Sequence, residues 1–467
     1  QDLDALIALQ KAQFRAEGEV TYATRIDRLK RLKALIVENK VAFANATKHE
    51  FNGARSYEFS LFSEFASKVE AIDYSMKHLK AWMKPEKRKT NKPMNFLGGK
   101  SQVRHFPKGV VGIISPWNLP FGLTVAPLTS ALAAGNRALL KPSEFVPETA
   151  ALFAEVVPKY FSKDEVAVVT GGAEVSQQFA QLPFDHLLFT GSTRVGAQVM
   201  QAASKNLVPV TLELGGKSPV IVGPDANIKN AARWIAWGRF LNAGQVCVAP
   251  DHVFVHESVQ EEFLKALKAQ ITRMYGDNPV QSCSMAQMIH PQHWARVAGL
   301  ISDARAKGAT ILTGGQTDEA TRKIAPTVLL DMRDDMAVQQ TETFGPVLPV
   351  MPYSDLNEVI GKINSAPHPL SLYVFGKSRL ADEVVSRTTS GAVGVNLSVM
   401  VFCHPSAPFG GIGRSGNGGA HGYAGFAAFS HMRQVLRVQF FPFHWVFPPY
   451  TKATRRLIAL FHRIVRI

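Results

Sequence analysis

Three side chains in this sequence combine the functional groups that acyl transfer requires. Cys247 follows Gly244 and other small residues, which allow a ligand to approach the backbone closely. Glu213 ends a predicted strand just before two glycines, and Asn118 lies at the end of another predicted strand. A lone cysteine is usually a buried small apolar residue. A thiol, a carboxylate and a carboxamide at strand ends nevertheless together predict nucleophilic catalysis by Cys247.

The elements that must position these residues alternate between predicted strands and helices. The first 82 or so residues have an amphipathic helical pattern, and residues 85–108 read as a linker or an extended arm. The strands that follow are predicted at 110–115, 136–141, 166–170, 186–190 and 208–212. Strands separated by helices indicate βαβ units and a parallel sheet, in which ligands bind at the carboxyl ends of the strands.

A second alternating series follows Cys247. Its predicted strands lie at 252–255, near 310–312, near 327–330 and at 371–375, and its predicted helices at 259–274, 293–307 and 356–364. This series predicts a second α/β lobe. The chain of 467 residues is long enough for two or three lobes.

Composition favours a globular enzyme. Apolar residues make up 46% of the chain and charged residues 19%, and three cysteines are too few for a disulfide framework. The histidines and cysteines show no metal-ligand spacing, so we expect no metal. The start of the chain does not resemble a signal peptide, and no apolar run is long enough for a membrane-spanning helix. We therefore expect a cytoplasmic protein, with association at a membrane surface as the alternative.

The net charge of +15 is concentrated near the end of the chain. No Asp or Glu follows Glu383, whereas nine Lys and Arg residues do. A basic surface that attracts an anionic substrate or cofactor is one interpretation, and contact with an anionic membrane is another. Nucleic-acid binding is disfavoured because no nucleic-acid fold signature is present. The final stretch, 452–467, predicts a basic amphipathic helix that docks on a partner subunit or lies on a membrane.

Seven motifs in a fixed order resemble those of the aldehyde dehydrogenase superfamily over roughly residues 10–440. They are Pro116-Trp117-Asn118, Lys141-Pro142-Ser143-Glu144, Phe189-Thr190-Gly191-Ser192, Glu213-Leu214-Gly215-Gly216, Gly244-Gln245-x-Cys247, Glu342-x-Phe344-Gly345-Pro346 and the segment 408–416. The resemblance implies an α/β fold with a parallel-sheet dinucleotide-binding lobe, an α/β catalytic lobe and a small oligomerisation arm. It implies an NAD-binding domain at 1–84 and 108–213, a catalytic domain at 214–425, an arm at 85–107 and 426–440, and a basic aromatic tail at 441–467.

The same resemblance implies roles for the three polar residues. The Cys247 thiolate would add to an aldehyde carbonyl to form a thiohemiacetal, which loses a hydride to leave a thioester. The Asn118 amide and the Cys247 backbone N–H would hold the oxyanion, each contributing about 3–4 kcal/mol. Glu213 would be the general base that activates water for hydrolysis.

The resemblance also implies NAD as the cofactor, with NADP as an alternative. Lys141 and Glu144 match contacts to the adenosine ribose, where a carboxylate suits a free 2′-hydroxyl and repels a 2′-phosphate. Thr190, Gly191 and Ser192 match a pyrophosphate site at a helix N-terminus. The remaining expected cofactor contacts are Ser115, Pro116, Trp117, Ser143, Leu214, Glu342 and Phe344.

Within the superfamily, Gly244–Asp251, His421-Gly422 and Phe429–His431 look like the class 3, fatty-aldehyde and coniferyl-aldehyde group. This implies a homodimer that oxidises an aromatic or medium-to-long aliphatic aldehyde, with a substrate similar to coniferyl aldehyde favoured. One alternative is a fatty aldehyde dehydrogenase at a membrane surface. Another is a dehydrogenase that passes the acyl group to coenzyme A, against which Glu213 argues. A non-catalytic protein on this fold is disfavoured because all three catalytic candidates are present.

Overall fold

The computed structural model describes residues 2–90, 94, 98–438 and 443–465. In these residues the strands form four sheets. Numbered along the chain, the strands are β1 (Glu86–Arg88), β2 (Lys100–Pro107), β3 (Val110–Ile114), β4 (Arg137–Lys141), β5 (Val166–Val168), β6 (His186–Thr190), β7 (Val210–Glu213), β8 (Pro219–Val222), β9 (His252–His256), β10 (Thr310–Thr313), β11 (Thr317–Asp318), β12 (Lys323–Ile324), β13 (Thr327–Leu330), β14 (Val347–Tyr353), β15 (Ser371–Phe375), β16 (Ala392–Val395), β17 (Gly416–Asn417) and β18 (Ser430–Arg437).

The helices connect and cover these strands. They are α1 (Leu3–Glu17), α2 (Tyr22–Glu50), α3 (Tyr57–Ser60), α4 (Ser67–Trp82), α5 (Gly122–Ala134), α6 (Pro147–Val156), α7 (Ala173–Ala180), α8 (Thr193–Ser204), α9 (Ile228–Phe240), α10 (Gln260–Tyr275), α11 (Pro291–Ala306), α12 (Ala337–Gln340), α13 (Leu356–Ser365), α14 (Ser378–Arg387), α15 (Gly422–Ala428) and α16 (Lys452–Val465). A π-helical turn, Leu61–Ala66, joins α3 to α4. Such turns widen a helix locally and are frequent at functional sites.

The first large sheet has the strand order β17-β7-β6-β3-β4-β5. Its strands run parallel except β17, which pairs antiparallel with β7 at the edge. Every residue of β3 and β4 is buried, as expected for central strands covered on both faces by helices. The chain order reverses direction between β3 and β6, and such a reversal is where α/β sheets bind ligands. The predicted parallel sheet is therefore confirmed.

The second large sheet has the order β10-β13-β14-β9-β8-β15-β16. It is parallel except for β10, which runs antiparallel to β13 at one edge. Its main apolar core packs β8, β9 and β14 against α9, α10 and α11. The predicted second α/β lobe is confirmed.

The region predicted as a linker or an extended arm contains strands. β1 and β2 form an antiparallel sheet with β18, and β18 pairs with β2 over eight residues, from Ser430 opposite Pro107 to Arg437 opposite Lys100. The order β1-β2-β18 leaves β18 at an edge of this sheet. On β18, Met432 is 61% exposed and Leu436 45% exposed.

The end of the chain forms a short turn followed by α16, as predicted for the tail. Trp445, Phe447 and Tyr450 precede the helix and are each more than half exposed. The predicted arm and tail include residues 91–93, 95–97, 439–442, 466 and 467, which lie outside the described residues. Within the described part of the chain, no helix has the length and apolar character needed to cross a membrane.

Candidate active site

The loop that carries Cys247 begins where α9 ends and follows an unusual backbone path. Asn242, Ala243 and Gly244 have φ angles of 51°, 53° and 73°, all left-handed. A Cβ at Gly244 would lie 2.3 Å from the carbonyl oxygen of Gly345, so only glycine fits there. Two left-handed non-glycine residues in a row are strained, and such strain persists only where surrounding contacts fix it.

Gln245 supplies many of the contacts that fix this loop. Its side-chain Nε2 donates to the carbonyls of Asn242 at 3.0 Å and Gln287 at 3.1 Å. Its Oε1 accepts from the backbone N–H of Ile289 at 3.1 Å. The fully buried Gln245 therefore fixes the loop to the segment of Gln287 and Ile289. Cys247 lies two residues further along the same loop.

Asn118 reaches the same loop from the end of β3. The side-chain Nδ2 of Asn118 donates to the backbone carbonyl of Gln245 at 3.0 Å. The backbone carbonyl of Asn118 accepts from Asn242 Nδ2 at 3.1 Å. The same carbonyl accepts from the buried Arg55 guanidinium at 2.6 Å. These bonds hold the Asn118 side-chain amide against the loop that carries Cys247, and the second N–H of this amide is suited to holding an oxyanion.

Glu213 ends β7 beside the end of β6. It pairs with Thr190 across the sheet, and its backbone carbonyl accepts from the N–H of Gly191 at 3.0 Å. The side chain is 8% exposed, and neither carboxylate oxygen has a hydrogen-bond partner among the described residues. Burial raises the pKa of Glu213 to about 8. A buried carboxyl group with unused acceptors is suited to exchanging protons with a bound molecule.

Glu342 completes the polar centre. Its carboxylate packs on the loop after Glu213, where a Cβ at Gly215 would lie 2.5 Å from Glu342 Oε1. Burial, and then the charge of Asp251, raises the pKa of Glu342 to about 7. Burial, and then the charges of Glu342 and Glu213, raises the pKa of the Cys247 thiol to about 12. The predicted thiol and carboxylates are thus electrostatically coupled in one site.

A buried ionic cluster, which sequence reasoning missed, links the loops of this centre. Burial opposes ionisation of Asp251, but Lys217 and the nearby cations hold the pKa of that carboxyl well below its usual range. Asp251 accepts from Lys217 Nζ at 2.5 Å and from the backbone N–H of Thr343 at 2.9 Å. Arg239 Nη1 lies 3.9 Å from Asp251 and donates to the carbonyl of Pro250 at 3.0 Å. The cluster therefore joins the segments of Cys247, Glu213 and Glu342.

Most of the expected cofactor residues lie at the carboxyl ends of β3, β4 and β6, whereas Leu214 follows β7 and Glu342 and Phe344 precede β14. Ser115, Pro116 and Trp117 follow β3, and the Trp117 ring packs edge-on against Phe344 at 5.7 Å. Lys141 ends β4, is 1% exposed and lies 3.8 Å from Glu144, whose side chain is 33% exposed. Ser143 is also buried beside them. Lys141, Ser143 and Glu144 lie at the end of β4, whereas Glu213 lies at the end of β7. A ligand that contacts both places must extend along the edge of the sheet, as a dinucleotide does.

The N-terminus of α8 adds a site suited to phosphate. Ser192 caps this helix and accepts from the N–H of Val195 at 3.4 Å; Gly191 is half-buried and Ser192 is exposed. A Cβ at Gly191 would lie 2.4 Å from the Phe189 ring, and one at Gly196 would lie 2.7 Å from Leu214. Backbone N–H groups at a helix start and closely approaching glycines fit the pyrophosphate of a dinucleotide. These residues therefore fit the implied cofactor.

A small apolar cavity lies next to the Cys247 loop. It is lined by side chains from the π-helical turn, α9, the loops of Asn118 and Cys247, and the segment after β16: Phe62, Ser63, Leu119, Trp237, Leu241, Val246, Val399, Met400, Phe402 and Cys403. Cys247 itself packs against this apolar group. Val399 has φ 66°, which is rare for a β-branched residue and is typical of strain at a functional site.

Comparison with known proteins agrees with this geometry. The aldehyde dehydrogenase family profile matches residues 1–435. The chain is 43% identical to a probable coniferyl aldehyde dehydrogenase of Caulobacter vibrioides, over 98% of this chain and 96% of that protein. It superimposes on a substrate-bound Staphylococcus aureus AldH with a TM-score of 0.90 and 36% identity, covering 99% of this chain and 100% of the other. For an NAD⁺ complex of a Mycobacterium tuberculosis aldehyde dehydrogenase the TM-score is 0.84, at 28% identity, over 94% and 91% of the two chains.

The fold and its catalytic cleft are those of an oxidoreductase that acts on aldehydes. The chain belongs to the aldehyde dehydrogenase family. Among its relatives are coniferyl aldehyde dehydrogenases, which confirms the resemblance to that group.

Proposed function

We propose that the protein oxidises an aromatic or other large apolar aldehyde, similar to coniferyl aldehyde, to its carboxylic acid with NAD(P). The observation that carries this proposal is the position of Cys247, which packs against a group of apolar and aromatic side chains and is influenced electrostatically by the buried carboxyl group of Glu213, whose oxygens have no hydrogen-bond partner among the described residues. The first feature suits the body of the aldehyde, and the second suits water-dependent release of the acid. The relatives named for coniferyl aldehyde support the same substrate class.

The side chains would act in sequence. Cys247 releases its thiol proton to solvent and adds to the aldehyde carbon as a thiolate, and the Asn118 amide with the Cys247 backbone N–H stabilises the oxyanion of the thiohemiacetal. Glu342 and Phe344 would hold the nicotinamide of the cofactor, which would supply the hydride acceptor, and loss of a hydride from the adduct leaves a thioester on Cys247. Glu213 then removes a proton from the water that hydrolyses the thioester, because its free carboxylate oxygens face no competing donor among the described residues.

NAD would be held by the residues at the sheet ends already described, in a domain formed by 1–84 and 108–213, with 214–425 as the catalytic domain. Lys141 and Glu144 would contact the adenosine ribose, and Thr190, Gly191 and Ser192 the pyrophosphate. Glu342 and Phe344 would contact the nicotinamide ribose and ring. The half-exposed Glu144 carboxylate favours a free 2′-hydroxyl, so we expect NAD to be used better than NADP, and the buried Lys141 amine allows some use of NADP.

A panel of aldehydes tests the reaction and its substrate class. We expect NADH formation to be most efficient with cinnamaldehydes, lower with benzaldehyde and hexadecanal, and unaffected by coenzyme A. The product should be the free acid, because Glu213 is available to activate water. Absorbance assays with NAD or NADP, followed by chromatography of the products, check each point. Coenzyme A-dependent turnover with a thioester product would instead support the acylating alternative, and a marked preference for hexadecanal the fatty-aldehyde alternative.

The exposed edge of β18 supports a homodimer. An edge strand of eight residues with exposed Met432 and Leu436 is an open site for pairing with another strand. We therefore propose that the sheet of β1, β2 and β18 is an oligomerisation arm. We further propose that α16 lies against the partner subunit, with an anionic membrane surface as the competing site for its basic residues.

Removing residues 452–467 tests these two positions of the tail. If α16 lies on the partner, we expect the truncated protein to have a less stable dimer by light scattering during dilution. Its sedimentation with vesicles of anionic lipid should equal that of the full chain. Vesicle binding by the full chain that is lost on truncation, with an unchanged dimer, would assign α16 to the membrane surface instead.

A further inference from the structure

Arg55 and Glu64 form an ion pair that is shielded from solvent. Arg55 is 1% exposed and Glu64 is fully buried, and Arg55 Nη1 lies 3.5 Å from Glu64 Oε1. The Arg55 guanidinium also lies over the rings of Phe51 and Phe59, at 4.1 Å and 5.0 Å from their centroids. A buried ion pair adds little net stability, because both ions lose their hydration. Stability alone therefore does not explain this pair.

Both members of the ion pair bind the segment that carries Asn118. Arg55 Nη2 donates to the backbone carbonyl of Asn118 at 2.6 Å. Glu64 Oε2 accepts from the backbone N–H groups of Phe121 at 2.8 Å and Gly122 at 3.0 Å. The pair therefore holds both ends of the turn that leads from β3 into α5.

The Glu64 contacts also cap α5. This helix begins at Gly122, and its N-cap residue, Phe121, has an apolar side chain that cannot accept a hydrogen bond. Glu64 supplies the acceptor from the π-helical turn Leu61–Ala66, and a carboxylate is favourable at the positive end of a helix. The π-helical turn packs closely here, since a Cβ on Gly122 would lie 3.6 Å from Glu64 Cα.

The backbone of Asn118 determines where its side-chain amide can act. One N–H of the amide is used by the carbonyl of Gln245 at 3.0 Å, and the second is suited to the oxyanion. Without Arg55, the Asn118 carbonyl would keep the contact from Asn242 Nδ2 at 3.1 Å but lose its charged donor. A shift of about 1 Å in a group that contacts the reacting atoms can slow a reaction about 100-fold.

We propose that the Arg55–Glu64 ion pair positions the oxyanion site, by holding the Asn118 amide in the orientation that stabilises the thiohemiacetal oxyanion. The proposal rests on the proposed function, because it needs Asn118 as an oxyanion donor. Arg55 and Glu64 are positioning residues, which act on the reaction only through Asn118. A donor that is already fixed before the oxyanion forms needs no reorganisation during the reaction, which makes its stabilising effect large.

Single and combined variants of Arg55 and Asn118 in the full-length protein test this role. For Asn118→Ala, we expect the rate constant of the first NADH burst to fall about 10²- to 10³-fold. Arg55→Met should lower the same rate constant about 100-fold, while the Kd for NAD, measured by fluorescence, stays unchanged. Arg55→Met/Asn118→Ala should lose no more than Asn118→Ala alone, because Arg55 acts only through Asn118. A residue that merely stabilises the fold would not show this coupling.

Arg137→Met is the matched control for the loss of a buried, paired arginine. Arg137 is 4% exposed and lies 2.7 Å from Glu17. It begins β4, whereas Asn118 follows the opposite end of the neighbouring parallel strand β3. Arg137→Met should lower the melting temperature, as Arg55→Met does, and leave the burst rate unchanged.

Losses that multiply in Arg55→Met/Asn118→Ala, or a wild-type burst rate in folded Arg55→Met, would overturn the positioning role. If Arg55→Met does not fold, Arg55→Met/Glu64→Gln provides the comparison, since it leaves no buried charge and keeps an acceptor for the start of α5. An unchanged burst rate in Asn118→Ala contradicts the oxyanion role in the proposed function and overturns this proposal with it. The two failures are therefore distinguished by Asn118→Ala alone.

Discussion

Replacing Cys247 with alanine is expected to remove aldehyde-dependent NADH formation, with kcat/KM falling by about five orders of magnitude. The reason is that hydride can leave only after the carbonyl carbon has become tetrahedral, and the proposed adduct forms on Cys247. Stopped-flow absorbance and mass spectrometry of the aldehyde-treated protein measure the two consequences. The variant should show neither an NADH burst nor an acyl adduct.

Cys283 provides the control for this experiment because it is exposed and lies outside the described site. Cys283→Ala should keep wild-type kinetics and form the same acyl adduct. Cys247→Ala should also melt close to the wild-type temperature, since the change removes one sulfur atom from a partly exposed side chain. Full activity in folded Cys247→Ala would show that the proposed nucleophile is wrong.

The second large effect is expected from Glu213→Gln. The substitution keeps the size of the side chain and removes the group that accepts a proton from water. Steady-state turnover should fall by about 10²- to 10⁴-fold, while the first NADH burst persists. Accumulated acyl-enzyme, detected as added mass on the peptide that contains Cys247, is the direct sign that hydrolysis is the slowed step. Equal losses of burst and steady rate would assign Glu213 to an earlier step.

The pH dependence of the same step follows from burial. Because burial raises the pKa of Glu213 to about 8, the group is mostly protonated at pH 7 and cannot accept a proton from water. Wild-type hydrolysis of the thioester should therefore rise about tenfold per unit of pH below 8 and level off above it. Glu213→Gln should lack this rise. A wild-type hydrolysis rate that is flat between pH 6 and 9 would exclude a carboxylate with this pKa as the base.

Much of the fold could be predicted because its strands are short apolar runs between turn residues. The predicted bounds of β6 and β15 equal the observed ones, and β3 and β4 differ by a single residue at one end. β14 was not predicted, since its two prolines are unusual in a central strand. β2 was not distinguished from a linker, because it is rich in polar residues and most of its side chains are only half-buried.

The candidate site was predictable only where a motif marks it. Asn118, Glu213 and Cys247 could be chosen as candidates because glycines and strand ends stand next to them and because each lies in one of the family's motifs. Arg55 and Asp251 could not, since Arg55 contacts Asn118, 63 positions away, and Asp251 contacts Lys217 and Thr343, 34 and 92 positions away. Nothing local distinguishes Arg55 from a surface arginine, and its burial against the Asn118 carbonyl emerges only from the packing of the helix α2 region on the β3 loop.

The ionic cluster around Asp251 has a consequence for how the protein would respond to acid. Its carboxyl group stays ionised far below neutrality, because Lys217 and Arg239 favour the charged form. The contacts that join the segments of Cys247, Glu213 and Glu342 therefore do not titrate in the pH range where Glu213 and Glu342 change charge. The pH dependence of the hydrolysis rate around neutral pH is accordingly expected to report proton transfer at Glu213 and Glu342. The contacts of Asp251 that fix the loops do not change charge in this range.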